Sequence, residues 1–326
     1  MSGYTSNEMF QEEEGTDRKA RNPKRMIPKE KVLEILDDCK KMGVKAIQFT
    51  GGGEPTVHPD FVEIVAYAQA LGFDTALVTN GNTLRDPAHR AVVQRMQWVR
   101  VSIDSSNAES YSAIRGVKPR AWEVMLEGLR KLASERPVGS QLVIGTGFVV
   151  TPENYKEIYD AVGLFSTLGV DNVRLGLMFN PDDDKPFLPI ADQIEALASG
   201  AVRDFNSDTF TVVSRTSEKL EDLSQGPPEY EFCGYQNFTT YIGGDLNVYR
   251  CCVYAYHHHG LVGSLKEQRF IDFWDSTAKQ KDFTYFDARK CDRCQFNDIN
   301  RGISMATSRT SLSHPQGEPP AHASFV

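Results

Sequence analysis

The 326-residue sequence has no uninterrupted apolar run near the ~20 residues that cross a bilayer. Its opening, MSGYTSNEMFQEEEG, also lacks the charged-then-apolar pattern of an export signal. No membrane contact is expected, and the cytoplasm is the predicted address. Positive charge is scarce as well. Thirty-six Lys and Arg against 44 Asp and Glu leave a formal net charge of -8, whereas a phosphate-binding surface wants the opposite sign, so no nucleic-acid partner is expected. Cysteine is nearly absent from the first two thirds of the chain. Cys39 stands alone, and the other five, Cys233, Cys251, Cys252, Cys291 and Cys294, come late. In a reducing compartment such residues read as thiols or metal ligands and not as disulfides. Phosphate cradles are missing too. The stretch QFTGGGEPT has no Lys for a P-loop, and Thr56 stands where a dinucleotide fingerprint needs its last glycine.

What is present alternates. Residues 1–27 are polar and read as a loop. Pro28 then suits a first helical turn, and Val32, Leu33, Ile35, Leu36 and Cys39 recur at helical spacing until Gly43. Cys39 lies on that apolar face and reads as a small buried hydrophobe. Five strand-like runs follow, VKAIQFT, FDTALVTN, WVRVSID, QLVIGTGFVV and DNVRLGLM, separated by helical segments of about a dozen residues. This pattern predicts βα units and a parallel sheet over 28–180.

After 180 the alternation stops, and 181–228 reads as one helix with polar linkers. Residues 229–299 form a Cys-bearing α+β module with two short strand signals. The tail, 300–326, is rich in Ser, Pro and His and is predicted to be disordered. Trp98, Trp122 and Trp274 sit in apolar periods and are expected in the core. Three consecutive histidines, His257, His258 and His259, cannot all point inward from one extended segment, so a solvated loop is expected there.

In parallel α/β folds the chemistry collects at the carboxyl ends of the strands. Here those ends are TGGGEP, TNGN, SIDSS, GFVVTPEN and GLMFN. A carboxylate in the first loop would repel phosphate but suits an ammonium group, and three glycines let a ligand approach bare backbone. A merely tight turn would need one glycine and no fixed acid.

GGGEP, TNGN and SIDSS, in that order, resemble the core of radical S-adenosylmethionine (SAM) enzymes over roughly 28–180. The resemblance implies a partial (β/α)6 TIM-like barrel, with its first βα unit missing from this chain. It implies that Glu54, with backbone from Gly51, Gly52 and Gly53, binds the methionine amino group of SAM, and that Thr79 and Asn80 line the pocket. Ser102, with Asp104 nearby, would contact the ribose or carboxylate, and Arg115 would pair with the carboxylate. Arg174 is a weaker candidate of the same kind. The implied chemistry starts with an electron from a reduced 4Fe-4S cluster, supplied by a reductant such as a flavodoxin or ferredoxin. SAM is then cleaved to a 5'-deoxyadenosyl radical that abstracts hydrogen from a substrate, in many relatives a peptide or protein. No residue stands out as catalytic on its own.

Cys291 and Cys294 form a CxxC whose thiolates can reach one metal centre, and Cys233 and Cys251 can complete a four-thiolate site. The stretch FCGY, YIGGDLNVYRCC and KCDRCQF resembles the SPASM or twitch extension of radical SAM enzymes, which implies an auxiliary 4Fe-4S cluster. The run NVYRCC departs from the usual pattern and leaves Cys252 as the alternative to Cys251. By composition alone, zinc remains the other metal. The CxxxCxxC loop that holds the SAM-binding cluster in this family has no counterpart in the sequence. The expectation is that Met1 is an internal methionine of a longer chain. If the chain is complete, it is expected to be an inactive SAM- or cluster-binding relic, or a zinc-ribbon interaction protein.

Overall fold

The computed structural model describes residues 26–179 and 185–308. The first described helix, α1 (Lys29–Lys41), starts directly after Pro28 and buries Ile35, Leu36 and Cys39 as the apolar spacing predicts. Gly43 then turns the chain with a φ of +79°, a backbone conformation that costs glycine little. Next come β1 (Ala46–Phe49), α2 (Phe61–Ala70), β2 (Asp74–Thr79), α3 (Pro87–Val93), β3 (Trp98–Ser102), α4 (Ala108–Arg115), α5 (Arg120–Ser134), β4 (Val143–Val150), α6 (Ile158–Ser166) and β5 (Asn172–Leu177). All five strands expected from the sequence are present.

There is a sixth. Residues 181–228 are more than a helix with linkers: α7 (Ala191–Phe205) leads into β6 (Thr211–Ser214), and α8 (Thr216–Gln225) follows. Strand β6 pairs in parallel with β5, from Asn172↔Thr211 to Leu175↔Ser214. The sheet therefore runs β1-β2-β3-β4-β5-β6, every pair parallel. The count of five was short because TVVS is only four residues long, with no alternation beyond it.

Side chains alternate across a strand, so the register assigns each residue to one face. Val99, Val101, Ile144, Phe148, Val150, Val173, Leu175 and Val212 fall on one face and join Met125, Leu129, Ile158, Val162, Ile194 and Ala198 of the helices in a single apolar core. The opposite face carries Gln48, Trp98, Arg100, Ser102, Gly145, Gly147, Asn172, Arg174 and Val213, which the ladder places side by side. Trp98 thus departs from its expected place in the core, whereas Trp122 is buried in it.

The chain divides into two compact units. Ala46–Gln225 form the sheet unit, and the second unit joins the chain up to Lys45 to the chain from Gly226 onward. Helix α1 therefore belongs with the C-terminal residues. That second unit contains an antiparallel sheet of β7 (Tyr241–Ile242), β8 (Asn247–Tyr249) and β9 (Leu261–Ser264), then α9 (Phe270–Trp274), α10 (Thr277–Tyr285) and α11 (Asn297–Ser308). Helix α11 corrects the expectation of disorder for 300–308; the rest of the tail lies outside the described residues.

What draws α1 into this unit is an ion pair between a buried acid and a partly exposed arginine. The Asp38 carboxylate is fully buried, takes the Arg269 guanidinium at 2.5 Å and accepts from the Ile271 backbone N–H at 3.5 Å. Burial alone would raise the Asp38 pKa, but the bonds from Arg269 and Ile271 and the charges of Arg269 and Lys41 outweigh it and hold it below 3.8. A depressed folded-state pKa adds stability above the unfolded value, and that stability is lost as pH falls through the folded one. Thermal melts of Asp38→Asn should therefore lie below wild type at pH 7, and the gap should close as the pH is taken below about 4.

Candidate functional site

The first candidate site lies at the carboxyl ends of β1, β2 and β3. The three glycines after β1 are exposed, and a side chain built at Gly53 would meet nothing within 4 Å. Behind them Pro55 opens a single 3-10 turn, Pro55–Val57, with Glu54 at its N-cap. The Glu54 carboxylate does more than cap. Its Oε1 accepts from Thr56 N at 3.1 Å, from Thr56 Oγ1 at 2.5 Å and from Thr79 Oγ1 at 2.6 Å, while Oε2 accepts from Asn80 N at 2.6 Å. The structure thus brings Glu54, Thr79 and Asn80 together across the ends of β1 and β2. Gly81, next in the TNGN turn, has a φ of +79°, and a side chain there would lie 2.9 Å from Val101.

At the end of β3 the site is organised by Asp104, which holds a φ of +58°. Its Oδ1 accepts from Val149 N at 2.8 Å, its Oδ2 meets Arg115 Nη2 at 2.6 Å, and its carbonyl accepts from Asn154 Nδ2 at 3.0 Å. Burial raises the Asp104 pKa, with the Arg115 charge and the Val149 N–H opposing it. Arg115 also donates to the Ser102 carbonyl at 2.9 Å. It reaches there from the last turn of α4, which Asn107 caps at the start and Gly116 ends in the left-handed conformation. Ser102, Asp104 and Arg115 therefore form one group, in which Arg115 already serves a carboxylate of the protein. Glu157 ties the adjoining SIDSS loop through Ser106 N, Ser106 Oγ and Ser110 Oγ, each at 2.7 Å. Arg174, on the same sheet face as Ser102, stands apart from this group and makes no ion pair among the described residues.

The second candidate site is in the C-terminal unit. Cys294 Sγ accepts from Phe296 N at 3.3 Å and from Asn300 Nδ2 at 3.7 Å. Asn300 also accepts from Tyr235 N at 2.9 Å, two residues beyond Cys233. Helix α11, read from sequence as disorder, thus supplies the residue that links the Cys294 and Cys233 loops. Arg250, beside Cys251, is buried, donates to the His259 carbonyl at 2.5 Å, pairs with Asp282 and lies 3.6 Å above the Phe286 ring. His259 is a correction. It is half-buried, with its Nε2 3.5 Å from Cys291 Sγ and its ring 4.8 Å from Tyr254, so the histidine run is not wholly a solvated loop. Sequence reasoning missed it because a three-residue run does not say which member turns inward.

Burial raises the thiol pKa of Cys233, Cys251 and Cys291, the last to about 12, and each feels the charge of a neighbouring cysteine. Cys252 is the exposed member of its pair. Among the described residues no three His, Cys, Asp or Glu converge tightly enough to hold one metal ion. A cubane cluster takes one thiolate per iron, so its four ligands surround a volume and need not meet at a point. Four thiolates are the donor type that such a cluster takes.

Residues 7–165 match the profile of the radical SAM superfamily, and residues 233–295 match SPASM, an iron-sulfur cluster-binding domain. A probable GTP 3',8-cyclase of Saccharolobus solfataricus is 30% identical over 151 residues, 46% of this chain and 47% of its own length. The chain thus spans about half the length of these curated relatives. Mycofactocin maturase MftC of Mycobacterium tuberculosis is 28% identical over 284 residues, 84% of this chain and 69% of that protein. Among solved structures, Streptococcus suis SuiB bound to its precursor peptide SuiA superposes with a TM-score of 0.57 at 14% identity, covering 83% of this chain and 66% of that one. This last likeness concerns the fold. With both matches in place, the chain belongs to the radical SAM superfamily, with a SPASM-type iron-sulfur domain at its C-terminal side.

Proposed function

We propose that this chain is the SAM-binding and auxiliary-cluster part of a radical SAM enzyme that acts on a peptide or protein. The observation that carries the proposal is the Glu54 carboxylate. Three donors occupy Oε1 and one occupies Oε2, so Oε2 keeps an open lone pair on a group already fixed in place. A pre-positioned anion beside bare glycine backbone suits the ammonium end of SAM, because little ordering remains to be done on binding. Gly51, Gly52 and Gly53 would provide backbone, Thr79 and Asn80 the wall, and Ser102, with Asp104 and Arg115, the neighbouring polar corner.

In the C-terminal unit, Cys233, Cys251, Cys291 and Cys294 would each hold one iron of a 4Fe-4S cluster. Bound SAM, next to a reduced cluster, supplies one-electron chemistry able to remove a hydrogen atom from an unactivated C–H bond. The residues present do not include three thiolates for the SAM-binding cluster, since only Cys39 precedes Cys233 and its thiol is buried and pushed up to about 12. No step through that cluster is assigned to this chain. The peptide preference draws support from MftC, named a maturase, and from SuiB, which is seen with a precursor peptide. A flavodoxin or ferredoxin would be the reductant, and a cytoplasmic setting would keep the thiols reduced.

Two measurements test this. Glu54→Gln should weaken SAM binding at least tenfold, about 1.4 kcal/mol, in isothermal titration, with the melting temperature as a control for folding; equal affinity in the variant would remove Glu54 from the site. Anaerobic reconstitution should yield a brown protein with about four irons and four sulfides in the C-terminal unit. Alanine at Cys233, Cys251, Cys291 or Cys294 should lower that iron, whereas Cys252→Ala should not. Stoichiometric zinc without iron uptake would sink the cluster assignment.

A further inference from the structure

The sheet face opposite the helices carries a feature that the cofactor site does not use. Arg100 on β3 and Arg174 on β5 flank β4, whose residues on that face between them are Gly145 and Gly147, with Val143 and Val149 to either side. A side chain built on Gly147 would lie 3.3 Å from Arg100 Cδ, and one on Gly145 would lie 2.6 Å from Asn172 Oδ1. The side chains of β3 and β5 thus lean over β4 through space that two glycines leave open. Glycine inside a strand otherwise weakens it, so paired glycines on one face mark a close approach.

The charges there are uncompensated. Among the described residues neither Arg100 nor Arg174 pairs with a carboxylate, and Arg100 Nε is buried without any hydrogen-bond partner. Arg215, just past β6, adds a third positive charge nearby, but Glu218 already takes it at 2.8 Å. Burial first, and then the Arg174 charge, pushes the Arg100 pKa down to about 10; Arg174 is lowered by burial and by Arg215. Arg100 does lie 5.1 Å over the Trp98 ring. That cation–π contact is made by the guanidinium carbon; it leaves Nε buried and without a hydrogen bond, and it does not account for a second arginine beside it. Like charges held together out of water are costly unless an anion joins them.

We propose that Arg100 and Arg174 together bind a carboxylate of the substrate, on the glycine-stripped stretch of β4. Two planar guanidinium forks match a planar carboxylate. Arg174 sits level with Ser102 through Gly147, and Arg100 lies one residue pair further from the strand ends, below the group formed by Glu54, Thr79 and Asn80. The ligand is therefore distinct from SAM at the strand ends, and Arg174 moves from the cofactor to the substrate. An acidic side chain or a chain terminus of a peptide would meet this requirement. The proposal rests on the peptide reading above, but its test does not pass through Glu54.

The test titrates the full chain with Ac-Gly-Glu-Gly-NH2 and with its Gln counterpart, and separately with SAM and with GTP. Wild type should favour the Glu peptide at least tenfold. Arg100→Gln and Arg174→Gln should each abolish that preference, leave SAM affinity unchanged, and melt no lower than wild type, because each removes an unpaired charge. Should either fail to fold, Gly147→Ala, which crowds Arg100, should cut Glu-peptide affinity severalfold and leave the Gln peptide unaffected. Equal binding of the two peptides by wild type overturns the proposal, as does a preference that survives in the variants. A fall in SAM affinity in the arginine variants would assign the pair to the cofactor carboxylate, and GTP displacing the Glu peptide at lower concentration would assign it to phosphate; each outcome overturns it. Glu54→Gln failing to weaken SAM would count against the cofactor site alone.

Discussion

A parallel sheet in unbroken register allows each strand residue only two directions, and the sheet unit follows from that constraint. Val99, Val101, Phe148 and Leu175 must share a face, and the helices cover it. Arg100, Ser102, Gly147 and Arg174 must share the other. Once the apolar half is buried, the polar half and the strand ends are what remain for a ligand. The apolar core therefore decides where the site lies without contributing an atom to it.

Two carboxylates then convert loose strand ends into fixed geometry. Glu54 gathers donors from its own turn and from the end of β2, and Asp104 gathers them from β4 and α4. Asp104 does so in a left-handed backbone conformation that aspartate tolerates better than most residues. Both acids are partly buried and held by several neighbouring donors, which makes them firm supports. They differ in what they leave over. Asp104 pairs with the Arg115 guanidinium, whereas Glu54 meets only neutral donors.

The sequence made the βα alternation readable because long apolar runs and helical spacing reinforce each other over five repeats. It made Glu54, Thr79 and Asn80 readable because glycine and an acid at a strand end are unusual. Strand β6 escaped because four residues carry no period. Helix α11 escaped because Gly302, Ser304, Thr307 and Ser308 resemble a loop by composition, although Asn297 and Asn300 share one face of it. Arg100 escaped for a different reason. WVRVSID looks like an ordinary alternating strand, and only the register shows that this arginine opposes two glycines and a second arginine. His259 likewise needed three dimensions to be told from His258.

The assignment of α1 has a consequence for the chain's modular design. Because Asp38 sits under Arg269, the unit that bears the cysteines draws on residues from both sides of the sheet unit. In topological terms the sheet unit is an insert in the cluster unit, joined to it by two covalent crossings. A fragment starting at Gly226 would lack a helix and leave an arginine without its acid, so the cysteine-bearing part cannot be excised as one continuous piece. A chain from which Ala46–Gln225 is deleted, joining the residues around Lys45 to those around Gly226, is the form in which that unit could stand alone.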